Sequence, residues 1–134
     1  MEIDSLKNYN PSMYTEREQI LFGASKNWEG ERTLPFKDIS VQALEELIEL
    51  DLLVDYIQGK APTLIEYIDF MKKYPGFTAH GFATNPDRDN PFIAIEGLEY
   101  RGVYDIEVLL AFTKLCRKAD VFETAERYLY CWFD

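Results

Sequence analysis

This chain of 134 residues has 24 acidic and 14 basic side chains, which give a formal net charge of −10. That balance disfavours non-specific binding to nucleic acid, because lysine and arginine contact the phosphates, and it also disfavours anionic membrane surfaces. Hydrophobic residues make up 47% of the chain, enough for a substantial core. We predict one domain over residues 1–134, in which residues 1–14 lack periodicity and are expected to be irregular.

The composition also bears on the cellular compartment. The first residues have no basic region followed by an apolar one, and no apolar run approaches the length of a membrane span. Cys116 and Cys131 are too few for a disulfide framework and lack metal-ligand spacing. Both lie in apolar stretches, which is typical of buried reduced thiols. We therefore expect a cytoplasmic protein that contacts no membrane.

Capping signals predict the first three helices. Thr15 and Glu18 form a capping-box pattern before a helix over residues 16–26. Residues 27–39 contain Gly30 and Pro35 and are expected to form a loop. Further predicted caps are Ser40, before a helix over residues 41–56, and the Thr63–Glu66 box, before a helix that ends at Pro75 and Gly76.

A fourth helix is predicted from Asp105, as its N-cap, to about Lys118. Its apolar residues nearly surround its middle, so we expect it to be the central, buried helix. The residues expected in the core are Ile106, Leu109, Leu110, Phe112, Leu115 and Cys116.

A hydrophobic period of two predicts the strands. Residues 77–100 read as a hairpin around the polar turn 85–91, and residues 126–133 read as a C-terminal strand. The sequence therefore predicts an α+β fold with about four helices and a small, mostly antiparallel sheet of three strands. A right-handed crossover would place the last strand beside the first strand of the hairpin.

His80, the only histidine, is the first candidate site residue. Its charge can change near neutral pH, and the neighbouring Gly81 leaves room for a ligand. Glu96 and Tyr100 could bound a small-molecule pocket beside it. No serine or cysteine accompanies it in a nucleophile arrangement, so we predict no catalytic residues and favour a structural histidine.

The hairpin turn resembles a calcium loop in part of its pattern. Asn85, Asp87, Asp89 and Glu96 occupy positions 1, 3, 5 and 12 of a twelve-residue motif. Asn90 replaces the required glycine, however, and prolines occupy positions 2 and 7. We therefore interpret the segment as a polar turn, and we expect no metal and no cofactor.

Two surfaces are candidates for binding a macromolecule. Glu45 and Glu49, on the helix over residues 41–56, could present an acidic face to a basic partner. Tyr128, Tyr130 and Trp132 share one face of the C-terminal strand, which a second subunit or another protein could cover.

Phosphate-binding loops, dinucleotide fingerprints, zinc motifs and nucleophile elbows are all absent from the sequence. We therefore predict an acidic protein that acts through protein–protein interaction, as a homodimer or with another partner, rather than through catalysis. A small-molecule-binding protein or enzyme with a pocket around His80 is one alternative. An acidic inhibitor that imitates nucleic acid toward a nucleic-acid-binding enzyme is another.

Overall fold

The computed structural model describes residues 11–54, 59–88 and 91–134. These residues form four helices and five strands, which confirms the α+β class. The elements in chain order are α1 (Pro11–Phe22), β1 (Thr33–Ile39), α2 (Val41–Glu49), α3 (Leu64–Lys73), β2 (Thr78–Thr84), β3 (Ile93–Arg101), α4 (Ile106–Leu115), β4 (Val121–Ala125) and β5 (Tyr128–Trp132).

The strands form one antiparallel sheet with the order β1-β2-β3-β5-β4. The predicted sheet of three strands over 77–100 and 126–133 is therefore wrong, although β2, β3 and β5 lie within the predicted strand segments. The two strands that sequence reasoning missed, β1 and β4, are the outer strands of the sheet.

The local sequence explains why β1 resembled a loop. Pro35 has no backbone N–H to donate, and Asp38 has a positive φ of 60° beside an irregularity in the register between Phe36 and Ile39. An edge strand tolerates both features, because one of its sides needs no ladder partner. Phe36 and Ile39 are nevertheless buried in the core, which holds β1 on the sheet.

The predicted position of the last strand is also wrong. β5 pairs with β3, with Tyr100 opposite Leu129, and does not lie beside β2. The free side of β2 is taken by β1, so the C-terminal strand joins the sheet at β3.

The caps of the later helices are confirmed. Ser40 accepts a hydrogen bond from the backbone N–H of Ala43, and Asp105 accepts one from the N–H of Val108. Thr63 and Glu66 form both hydrogen bonds of a capping box. These are local interactions, so a short stretch of sequence is enough to specify them.

The bounds of the first two helices differ from the prediction. α1 begins at Pro11 and ends at Phe22, so residues 11–14 are helical rather than irregular. Proline is tolerated there because the first turn of a helix leaves its N–H groups unpaired. α2 ends at Glu49, earlier than predicted, and residues 55 and 56 of the predicted helix lie outside the described residues.

Helix α4 begins where the sequence predicts but is buried on one side only. Phe112 is fully buried, with its ring against those of Phe70, Phe77 and Phe122. Ile106 and Leu110 are 66% and 62% exposed, so their predicted burial is wrong.

The core lies between the sheet and a layer of helices on one of its faces. Cys116, just past the end of α4, and Cys131 of β5 are free, buried thiols that lie side by side. A hydrogen bond with Cys131, together with burial, raises the pKa of Cys116. α2 packs against α3 in the same layer. None of the described helices is both long enough and apolar enough to cross a bilayer.

Candidate interaction surface

The side chains of β5 alternate between the two faces of the sheet. Leu129 and Cys131 are fully buried beneath the helices, whereas Tyr128, Tyr130 and Trp132 point to the opposite face and are partly exposed. We call that opposite side the open face. Its side chains on the neighbouring strands are His80 and Phe82 of β2, Glu99 of β3 and Glu123 of β4.

Aromatic rings form a stacked row on the open face. The His80 and Tyr130 rings are nearly parallel, with an interplanar angle of 7° and ring centroids 4.9 Å apart. Tyr128 continues the row, with its ring 6.2 Å from that of Tyr130 at an angle of 8°. Side chains that are already packed against one another lose little conformational freedom when a partner covers them.

A hydrogen bond fixes the His80 ring. Its Nε2 lies 2.8 Å from the carbonyl oxygen of Cys131, and since a carbonyl can only accept, Nε2 carries the hydrogen and donates it. In the neutral ring Nδ1 is then an acceptor directed away from that bond. Burial lowers the pKa of His80, although the Cys131 carbonyl and the charge of Glu99 oppose this effect. The neutral form is therefore favoured at pH 7.

Gly97 makes room for this arrangement. A Cβ at residue 97 would lie 2.0 Å from the Cys131 carbonyl oxygen and 2.7 Å from His80 Nε2. Both distances are shorter than any normal contact with a methyl group. The absence of a side chain on β3 thus allows the imidazole of β2 to reach β5.

Two carboxylates flank Tyr130 across the sheet. Tyr130 is directly opposite Glu99 on one side and Glu123 on the other. Glu99 accepts a hydrogen bond of 2.7 Å from the Tyr128 hydroxyl and pairs with Arg101 at 3.2 Å. Burial, together with the interaction with Glu99, raises the pKa of Tyr128 to about 12. The row of rings is therefore bordered by two carboxylates, of which Glu99 is already paired with Arg101.

Glu96 lies at the irregularity where the β2–β3 register shifts. Burial raises its pKa, and the nearby Trp132 side chain, an N–H donor, partly offsets that effect. Glu96 is thus associated with Trp132 at one end of the open face.

Tyr100 lies on the other side of the sheet from His80. Its ring packs against Phe77, with centroids 5.0 Å apart, and its hydroxyl donates to the backbone carbonyl of Val103 at 2.7 Å. The structure therefore does not bring Tyr100 together with His80 and Glu96. Five depressions on the described part of the surface also lie elsewhere, and none of these five is lined by His80.

The acidic candidates on α2 form a separate surface in the helical layer. Glu45 and Glu49 line a shallow groove between α2 and α3, to which Asp69 contributes a further carboxylate. Lys72 pairs with Glu45 at 2.6 Å, and the exposed Ile65 lies in the same groove. This groove and the open face are on opposite sides of the molecule.

The hairpin turn has no described cluster of metal ligands. Asn85 accepts a hydrogen bond from the backbone N–H of Asp87, which is an Asx turn, and its amide nitrogen donates to the carbonyl of Glu31. Asp89 lies outside the described residues. Among the described ones, no three histidine, cysteine, aspartate or glutamate side chains are grouped so as to hold a metal ion.

Sequence reasoning found the aromatic residues of β5 but missed their neighbours. The alternation of Tyr128, Tyr130 and Trp132 was a sufficient signal for a shared face. Nothing in the sequence indicated that His80 would stack on Tyr130, because that contact depends on the strand order.

Searches of protein-family models, curated proteins and solved structures found no match to this chain.

Proposed function

We propose that this protein acts by binding a basic segment of another protein on the open face of its sheet. The observation that carries the proposal is the partly exposed stack of His80, Tyr130 and Tyr128, flanked by the carboxylates of Glu99 and Glu123. Tyrosine and tryptophan dominate the energetically important positions of protein interfaces, because they bury large areas at a small cost in entropy.

The charges on this face favour a cationic partner. A lysine or arginine that lies over Tyr130 would gain a cation–π interaction and would have Glu123 within its reach. Glu99, on the other side of Tyr130, is already paired with Arg101. The net charge of −10 would also increase the rate of encounter with a basic protein, and added salt would reduce that rate.

The position of His80 gives less support to a pocket for catalysis or for a small ligand. Its Nε2 is engaged by a backbone carbonyl, and the ring lies on a sheet face rather than in one of the clear depressions. Small-molecule sites are usually concave and bury most of the ligand surface.

A second candidate function has one observation in its favour. The carboxylates of Glu45, Glu49 and Asp69 line a single groove, as an acidic inhibitor of a nucleic-acid-binding enzyme would require. The ion pair of Glu45 with Lys72 and the exposed Ile65 make this groove a less complete imitation of phosphates. We therefore place it second.

The test compares two glutamate-to-lysine variants with the same change in net charge. Partners that co-purify with the protein from its own cells are identified, and their affinities are measured by calorimetry at two salt concentrations. We expect Glu123→Lys and Tyr130→Ala to weaken binding at least about tenfold, which corresponds to about 1.4 kcal/mol. Glu49→Lys, on the helical side, should leave the affinity within about twofold of the wild type. A partner that is lost with Glu49→Lys and retained by both open-face variants would contradict the proposal and favour the acidic groove.

A further inference from the structure

A second surface, on the helical side of the molecule, exposes apolar side chains that are not part of the core. Val103, Ile106 and Leu110 are 69%, 66% and 62% exposed. Ile106 and Leu110 are one helical turn apart, so they share one side of α4, while Phe112 points into the core. We call Val103, Ile106 and Leu110 the α4 strip.

The α4 strip lies toward the outer edge of the fold. On one flank of the strip, α4 shares a groove with α3 that is lined by Phe70 and Leu115 and bordered by Lys114, Arg117 and Lys118. The Tyr104 hydroxyl donates to the carbonyl of Ala125, which ties the start of α4 to the edge strand β4. Large exposed apolar side chains grouped in this way are typical of a surface that a partner covers.

Two charged residues border the α4 strip in a self-complementary way. Glu107 and Lys114 are seven residues apart, so they lie on the same side of the strip, close to two full turns from each other. If a second α4 packs in the antiparallel direction, Glu107 of each copy lies opposite Lys114 of the other. Both side chains are exposed, and within the described part of the chain neither belongs to an ion pair.

The overall charge helps to identify the occupant. Two copies with a net charge of −10 repel each other over most of their surfaces. At the α4 strip the bordering charges cancel, and Arg117 and Lys118 add positive charge just beyond the end of the helix. In an antiparallel pair these two residues approach the acidic start of the partner helix, at Asp105, and the helix dipoles also oppose each other favourably.

We propose that two copies of this chain form a symmetric dimer through the α4 strip, with the α4 helices antiparallel about a two-fold axis near Leu110. Such an interface is isologous, so a single surface serves both subunits. The open face remains accessible in this dimer, which could therefore present two copies of it.

The first experiment measures the mass of the wild-type protein in solution. Sedimentation velocity over a series of protein concentrations should show a monomer–dimer equilibrium. Leu110→Lys should shift that equilibrium to the monomer, while Ile65→Lys, at an isoleucine on α3 that is 51% exposed, should not. A wild-type protein that stays monomeric over the whole series would overturn the proposal, as would equal effects of the two variants.

A charge swap tests the antiparallel arrangement. Glu107→Lys places lysine opposite lysine and Lys114→Glu places glutamate opposite glutamate, so each variant alone should be monomeric. An equimolar mixture of the two restores both opposite-charge contacts, and a heterodimer should form. Glu49→Lys has the same net charge as Glu107→Lys but leaves the α4 strip intact, so it is the control and should dimerise by itself like the wild type. Failure of the mixture to associate, or loss of the dimer in Glu49→Lys, would overturn the proposed geometry.

Discussion

The imidazole of His80 stacks on the phenol ring of Tyr130, although their strands, β2 and β5, are not neighbours in the sheet. The intervening strand β3 has Gly97 at the crossing point, opposite His80. A hydrogen bond from His80 Nε2 to the Cys131 carbonyl completes the contact. The stacked rings of the open face therefore depend on the correct pairing of all three strands.

Gly97→Ala should therefore be strongly destabilising. The new Cβ would overlap the Cys131 carbonyl oxygen, which belongs to the backbone and cannot move without disturbing the ladder. We expect the free energy of unfolding to fall by at least about 2 kcal/mol, as for other overpacked sites. The measurement is urea denaturation followed by circular dichroism.

Gly30→Ala is the control for this substitution. Gly30 has a positive φ of 78° but open space around its Cβ position, so its replacement costs only backbone strain of about 1 kcal/mol. If Gly97→Ala and Gly30→Ala lowered the free energy of unfolding by the same amount, the contact over Gly97 would not be tight.

The pH dependence of stability should contain a contribution from His80. Its ordinary pKa of 6.5 applies to the unfolded chain, and burial lowers the pKa in the folded protein. As the pH falls below about 6.5, the unfolded chain takes up this proton before the folded protein does, so the free energy of unfolding decreases.

This contribution can be isolated, because the chain has one histidine. His80→Gln should flatten the change in unfolding free energy between about pH 7.5 and pH 5.5, relative to the wild type. An NMR titration of the single imidazole should give a midpoint below 6.5. A midpoint above 6.5 would contradict the burial of the ring against Cys131.

The contribution of Glu96 to the pH dependence of stability should have the opposite sign to that of His80. Burial raises its folded pKa above the ordinary 4.5, so the folded protein holds this proton more tightly than the unfolded chain does. Its contribution is therefore lost as the pH rises through the raised pKa, and the charged form is unfavourable at pH 7.

Glu96→Gln removes that charge and keeps an oxygen that can accept from Trp132. We expect the variant to be as stable as the wild type or more stable at pH 7, and to lose this advantage near pH 4. Thermal unfolding at the two pH values measures the difference. The stability of the variant is compared with that of the wild type at each pH. If this difference were less favourable to the variant at pH 7 than at pH 4, the charged carboxylate would be stabilising.

Side-chain truncation on the two sides of α4 should have different effects on the free energy of unfolding. Phe112 is fully buried within an aromatic cluster, so Phe112→Ala should cost about 3–5 kcal/mol of unfolding free energy. Leu110→Ala, on the exposed side of the same helix, should change it by less than about 0.5 kcal/mol. Chemical denaturation at low protein concentration separates these values from any effect of association. Similar losses at both positions would contradict the orientation of α4.

Local signals in the sequence were sufficient for part of this fold. The caps at Ser40, Thr63 and Asp105 depend on hydrogen bonds within four residues, and all three were predicted. The β2–β3 hairpin has a clear period of two and a turn rich in proline and asparagine, so it was also found.

The remaining features depend on tertiary context. β1 contains Pro35, which indicates a loop unless the strand is known to lie at an edge. The apolar residues of α4 nearly surround the helix, so the pattern could not show that Ile106 faces away from the sheet. Likewise His80 and Tyr130 are 50 residues apart, and only the strand order brings them together.

The most direct test of the open face is site-specific photocrosslinking in the cells that make this protein. A benzophenone side chain is introduced at Phe82, which is partly exposed on the open face, and separately at Ile65 in the acidic groove. We expect an adduct between this chain and a different, basic protein from position 82 and none from position 65. An adduct from position 65 alone, while position 82 stays unreacted, would contradict the proposed binding face.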